Sequence, residues 1–164
     1  MLLPVKYIPK KLTKKDRARQ KKMLLTSRRL YKQHKYYTRK NVPSYKSKPS
    51  KHVLKAMKVY HVNNIMPTAE LARKTGCTLT GLKKIVNKGE GAYYSSGSRP
   101  NQSARSWGIA RLASAITGGK SAVVDFHIIK KSCQPTKKAY SLAKKALKKY
   151  GRATSRVPKT NVRA

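Results

Sequence analysis

The stretch TAELARKTGCTLTGLKKIVNK, residues 68–88, decides how this chain is read. Thr68 can cap a short helix that carries Leu71 and Ala72. Gly76 falls four residues after Ala72 and supplies a turn. Thr80 can cap a second helix carrying Leu82, Ile85 and Val86, which Gly89 closes. Ala72 is small enough for two helices to cross closely, and Leu82 with Ile85 locks the second helix onto the first. Together these features make a helix-turn-helix-like pattern. In a DNA-reading version, Thr80, Lys83, Lys84 and Asn87 of the second helix would enter the major groove. The same arrangement also serves as a plain core unit, because short helix pairs joined by glycine are common.

Reading downstream, GEGAYYSSGSRPNQ at 89–102 is a Gly/Ser-rich loop around Tyr93 and Tyr94. Ser103 or a neighbour caps a helix over about 104–117, with Trp107, Ala110, Leu112, Ala113 and Ile116, ended by Gly118-Gly119. Residues 120–130 alternate like a strand yet also suit a helix, and helices on both sides favour the helical reading. Thr136 is expected to cap an amphipathic helix over 137–150 whose apolar face is Ala-rich and whose other face is nearly all Lys, with Gly151 just beyond its end. Such a helix can lie along phosphates or an anionic membrane, or form a core helix with a solvated basic face. Residues 151–164 read as a basic tail.

Upstream, residues 1–12 alternate apolar and basic positions around two prolines and read as an extended arm. Thr13 can cap a helix over 14–32, with Asp16 three residues on. Residues 33–50 interleave Lys and Arg with Tyr36, Tyr37 and Tyr45, and read as a polar linker lying along a surface. Basic-aromatic interleaving can grip single-stranded nucleic acid or thread between neighbouring proteins. Ser50 caps a helix over about 51–62.

Charge narrows the partners. The chain carries 41 Lys and Arg against four acidic residues, a formal net charge of +37 over 164 residues. That excess predicts a dense anion nearby: nucleic acid first, then an anionic membrane or an acidic protein surface. Basic tails of this kind are expected to become ordered on a partner, which points to a component of a large assembly. No apolar run approaches the roughly 20 residues needed to span a bilayer, and MLLPVK has no signal-peptide core. The expectation is therefore no transmembrane segment and no secretion. Cys77 and Cys133 could form one disulfide, but two reduced, buried thiols in a reducing compartment are the favoured reading.

The residues do not point to an enzyme. Four widely spaced carboxylates make a paired acid/base device a coincidence of folding. Gly118-Gly119-Lys120-Ser121 looks like half a phosphate loop, but position 113 is Ala where an upstream glycine is required. His34, His52, His61 and His127 form no metal-ligand spacing, so no metal and no cofactor are expected.

Part of the chain resembles a small uncharacterised basic domain found in proteins of nucleocytoplasmic large DNA viruses. The residues that carry the resemblance run from Thr75-Gly76-Cys77-Thr78-Leu79, Leu82-Lys83-Lys84 and Asn87-Lys88-Gly89 through Gly91-Ala92-Tyr93 and Gly97-Ser98-Arg99-Pro100. They continue with Trp107, Ala110-Arg111, Ser114, Thr117-Gly118-Gly119-Lys120 and Asp125. The resemblance covers about 75–129 and implies a viral origin and a helical domain, with no defined activity. Segments 1–66 and 130–164 lie outside it and read as basic embellishments. Arg111 could pair with Asp125, and Arg99 could hold the loop.

The expected fold is mainly α: a small helical core containing a helix-turn-helix-like unit, with extended basic N- and C-terminal arms. The expected domains are a basic arm at 1–49, a helical core at 50–150 and a basic tail at 151–164. The expected function is a minor capsid or cementing protein on the inner side of a large icosahedral DNA virus capsid, located in the virion and assembled in the host cytoplasm or nucleus. Its partners would be other capsid proteins and nucleic acid or an anionic membrane surface, with no small-molecule substrate. One alternative is a DNA-binding protein that condenses the genome; a second is a ribosomal protein. Candidate nucleic-acid contacts are Thr80, Lys83, Lys84, Asn87, Arg99, Lys137, Lys138, Lys144, Lys145 and Lys148. Candidate protein-interface residues are Leu2, Val5, Tyr7, Ile8, Tyr36, Tyr37 and Tyr45. The expected core is Leu71, Ala72, Leu82, Ile85, Trp107, Leu112, Phe126 and Leu142.

Overall fold

A computed structural model describes residues 1–151 and 158–162. The described chain is mainly helical. A short strand β1 (Leu2–Pro4) leads through a single 3-10 turn into α1 (Lys14–Tyr31). Then follow α2 (Lys51–Tyr60), α3 (Ala69–Thr75), α4 (Leu79–Ser95), α5 (Ala104–Ile116), α6 (Lys120–Val124), α7 (Phe126–Ser132) and α8 (Lys138–Tyr150), and a last strand β2 (Lys159–Asn161). The chain divides into two compact units. One contains Met1–Lys48, Glu90–Trp107 and Arg156–Ala164, and the other contains Pro49–Gly89 and Gly108–Ser155.

In the second unit the helices start where short polar side chains meet apolar periodicity. The Ser50 hydroxyl accepts from Val53 N–H, and the Thr68 hydroxyl accepts from Leu71 N–H. Gly76, at φ 74°, ends α3. The next cap is Thr78, whose hydroxyl accepts from Gly81 N–H. The second helix therefore starts ahead of Thr80, the expected cap. Helix α8 likewise departs from expectation: Lys137 stands at its N-cap with no side-chain cap, in place of Thr136.

Gly89 does not end α4, which runs on to Ser95. A Cβ at Gly89 would lie 2.6 Å from the Gly108 Cα of α5. The residue permits close approach of two helices, and its helix-breaking tendency, about 1 kcal/mol against Ala, is overridden by the packing. The strand-like alternation of 120–130 resolves into α6 and α7, broken at Asp125. Leu71, Leu82, Ile85 and Leu112 are buried in this unit's core, and Ala72 and Phe126 pack against it half-buried. Leu142 is also only half-buried, and its carbonyl lies close to Gly118.

Cys77 and Cys133 form a disulfide, which corrects the expectation of two free thiols. The reason lies in pairing between distant segments. Thr78 N–H donates to Ser132 O at 2.7 Å, and Gln134 N–H donates to Gly76 O at 2.9 Å. These bonds flank the two cysteines as an antiparallel pair that makes no bond of its own, where side chains come closest.

In the first unit the expected arms turn out to be folded. Leu3, Tyr7, Ile8, Leu24 and Val162 are buried together, with Trp107 packed against them. Strands β1 and β2 pair antiparallel, Leu3 opposite Thr160. A second cluster gathers Leu12, Met23 and Val42, with Tyr37 and Tyr45 against it. The N-terminal segment therefore packs its apolar residues against α1 and Val162. Residues 159–161 of the expected tail form the second strand of the small sheet, while 152–157 and 163–164 lie outside the described residues. Residues 90–107 cluster with 1–48 in this unit.

Arg39 and Asp16 anchor the segment expected to be a polar linker lying along a surface. Arg39 is 7% exposed. Its guanidinium donates to Ser27 Oγ, Tyr93 O and Ser98 Oγ at 2.8–2.9 Å and stacks over the Tyr93 ring at 3.7 Å. Burial lowers its pKa, and nearby tyrosines oppose that shift. Asp16 accepts from Ser44 N–H at 2.8 Å. The bonds from Ser44 hold its carboxyl below the ordinary value.

Candidate nucleic-acid interface

Exposure along α4 follows the helical period. Gly81, Leu82, Ile85, Val86 and Gly89 are buried, while Thr80, Lys83, Lys84, Asn87 and Lys88 face solvent. The exposed set is spaced i, i+3, i+4, i+7, i+8 and so lies on one side of the helix. The four candidates predicted for this helix are thus brought together on one stripe.

Helix α8 repeats the arrangement. Ala139, Ala143 and Ala146 are buried, and Lys138, Lys144, Lys145, Lys148 and Lys149 are exposed. Its buried face packs on α6 and α7. Lys137 is exposed, and its stem crosses Gly76 in the turn leading into α4. Lys138 Nζ donates to Val59 O at 3.5 Å. Two lysines at the N-terminus of a helix oppose its dipole, so this corner concentrates positive potential. Arg99 is exposed and belongs to the other unit.

Every carboxylate side chain of the sequence lies among the described residues, and each has a partner, Asp125 taking Lys88 from the α4 stripe. Glu70 pairs with Lys74 at 3.9 Å and Glu90 with Arg105 at 3.4 Å. Asp125 is fully buried. It accepts a two-pronged contact from Arg111, Nε to Oδ2 at 2.7 Å and Nη2 to Oδ1 at 2.8 Å, and a third bond from Lys88 Nζ at 2.8 Å. Burial pushes this carboxyl up, but the bonds from Arg111 and Lys88 outweigh that and hold it below the ordinary value. The pairing of Arg111 with Asp125 matches the sequence reading. The fourth acid, Asp16, is taken by Ser44. Among the described residues, no carboxylate pairs with Lys83, Lys84, Lys144, Lys145 or Lys148.

The interface candidates of the first unit separate. Leu2 is exposed and Val5 half-buried, but Tyr7 and Ile8 are buried inside the protein's own core. These two are spent on folding. Tyr37 and Tyr45 are half-buried against the second cluster, and Lys11 Nζ sits 4.9 Å over the Tyr45 ring. Tyr36 is 72% exposed. Sequence reasoning missed Arg39 as an anchor, because nothing local distinguishes it from the surrounding cations.

The resemblance of Gly118–Ser121 to a phosphate loop does not survive folding. Gly119 N–H donates to Ser114 O, and Ser121 N–H donates to Ser114 Oγ. A Cβ at Gly119 would meet Ser114 Oγ at 2.3 Å. These amides are turned toward the protein. Among the described residues, no three His, Cys, Asp or Glu side chains gather as a metal site. No helix among them is long and apolar enough to cross a membrane.

Fold and surface define a mainly helical, strongly basic protein. The chain belongs to a family of unknown function, DUF5824, whose model matches residues 4–133. That match takes in the N-terminal segment, which the sequence reading had placed outside the recognisable domain, and stops before α8. No curated protein and no solved structure matches the chain.

Proposed function

We propose that this protein is a non-enzymatic nucleic-acid-binding protein that neutralises phosphates with the lysine stripes of α4 and α8. The reading rests on one observation: among the described residues, Lys83 and Lys84 of the α4 stripe and Lys144, Lys145 and Lys148 of the α8 stripe face solvent with no carboxylate beside them, Lys88 alone of the named stripe residues being paired, with Asp125. Lysine is a point charge on a flexible stem, suited to phosphate more than to reading base edges. Binding is therefore dominated by the backbone. Major-groove reading by α4 as the second helix of a helix-turn-helix-like unit is the more specific version of the same proposal.

The setting we propose is the virion of a large DNA virus, on the strength of the sequence resemblance. There the protein would condense genome or sit on the inner side of the capsid as a minor structural component. Exposed Leu2 and Leu54 favour some contact with neighbouring proteins in that second role. Retention in a nuclease-treated, salt-washed shell would favour the capsid role, and release with the nucleic acid would exclude it.

The direct test is duplex DNA affinity as a function of salt. The expected result is a log–log slope of about −0.9 per phosphate neutralised. Lys83→Gln with Lys84→Gln is expected to make the slope shallower by about 2. Affinity independent of salt, or a slope the double variant leaves unchanged, rejects the proposal.

A further inference from the structure

We infer that Tyr36 is a stacking platform for an unpaired base, so that the first unit takes single-stranded nucleic acid. The inference rests on the nucleic-acid reading above, but its site is different and so is the ligand feature it recognises.

The chain leaves α1 through a tight reversal. Gln33 N–H and Lys35 N–H both donate to Leu30 O, His34 N–H donates to Tyr31 O, and His34 takes φ 56°. A non-glycine residue in that region is uncommon. The reversal returns Tyr36 to the side of α1 that carries Tyr31. The Tyr36 ring meets Tyr31 at 6.2 Å between centroids and Tyr94 at 5.0 Å, both at 64°. Tyr94 in turn stands perpendicular to Tyr93 at 5.0 Å. Tyr93 is fully buried, with the Arg39 guanidinium stacked on it. A chain of rings therefore runs from the core to the surface and holds the outermost one.

A large aromatic residue at 72% exposure that makes two ring contacts is neither a core residue nor a free side chain. Its neighbours hold it without covering it. Lys32, His34, Lys35 and Lys40 are exposed on the same segment. A positioned aromatic surface amid cations is what single-stranded nucleic acid requires: rings for the bases and charge for the backbone. Duplex DNA keeps its bases stacked on one another and offers none to Tyr36. A protein partner would be expected to find an apolar rim around the ring, whereas the exposed residues on either side in sequence include Lys32, Lys35 and Lys40.

The test compares a labelled oligothymidylate, an abasic oligonucleotide of the same length and a duplex, by fluorescence anisotropy at fixed salt. Tyr36→Leu keeps apolar volume and removes the flat π surface, and Tyr36→Phe keeps the surface. The expected result is a loss of roughly 5- to 160-fold for oligothymidylate with Tyr36→Leu. Affinity for the duplex and the abasic strand should stay within about twofold, and Tyr36→Phe should behave as the parent. Equal losses on all three ligands, no loss on oligothymidylate, or parent protein that binds it no better than the abasic strand overturns the inference. If duplex binding persists while the Tyr36 effect is missing, the platform fails and the phosphate reading stands. Failure of every ligand to bind the parent protein removes both. Matching thermal melts of the variants exclude unfolding as the cause.

Discussion

Reducing the bond between Cys77 and Cys133 should destabilise the unit that contains it by about 4 kcal/mol. The two residues are 56 apart in sequence. In the loop-entropy treatment, closing a loop of that length removes about 14 cal/mol/K from the unfolded chain, which is about 4.2 kcal/mol at room temperature. The native side of the balance is expected to change little, since backbone bonds between 76–78 and 132–134 also join these segments. The assay is urea unfolding followed by circular dichroism, with and without a phosphine reductant, beside the Cys77→Ala/Cys133→Ala variant. At a slope of about 1–3 kcal/mol/M, the midpoint should fall by roughly 1.5–4 M. Reduced protein and double variant should coincide. Free thiols in the untreated protein, or identical midpoints with and without reductant, would refute the reasoning. A double variant far less stable than the reduced protein would show that packing around the sulfurs, and not the cross-link, carries the effect.

Asp125→Asn should cost on the order of 3–5 kcal/mol, since it leaves the Arg111 guanidinium partly buried without its counter-charge; calorimetry of the parent and the variant measures it. The same carboxyl sets an acid limit. Its folded pKa lies below its ordinary value of 3.8, so its contribution is complete above that value and is lost as pH falls through the folded pKa. An acid titration should show the parent losing stability below about pH 4, with a smaller loss in Asp125→Asn. Gly89→Ala should destabilise by about 1–3 kcal/mol through overpacking against Gly108, despite the better helix propensity of Ala; a gain in thermal stability would contradict the close approach of α4 and α5.

Local chemistry carried much of the helix prediction. Thr13, Ser50, Thr68 and Ser103 each accept the expected backbone N–H near a helix start. Gly76, Gly118 and Gly151 take positive φ close behind helices. The exposed stripe of α4 was legible for the same reason: alternation of apolar and polar positions at the helical period dictates which side faces solvent. The capping error at Thr80 was one of register, since Thr78 also precedes the apolar run and wins through its bond to Gly81 N–H.

The sequence by itself determined the helical class, the caps at Thr13, Ser50, Thr68 and Ser103, the cationic surface and the solvent-facing residues of α4 and α8. All of these follow from interactions within a few residues or from composition. Only tertiary structure decided that the N-terminal segment folds against Val162, that Arg39 is buried against Tyr93 and that Gly89 lies inside a helix. The pairing of Cys77 with Cys133 and the presentation of Tyr36 belong with these. Each depends on partners distant in sequence, such as Arg39 and Ser98 or Met1 and Val162. Where burial and close contact between remote segments outweigh local preference, a glycine that should end a helix continues it, and an arm expected to be extended becomes core.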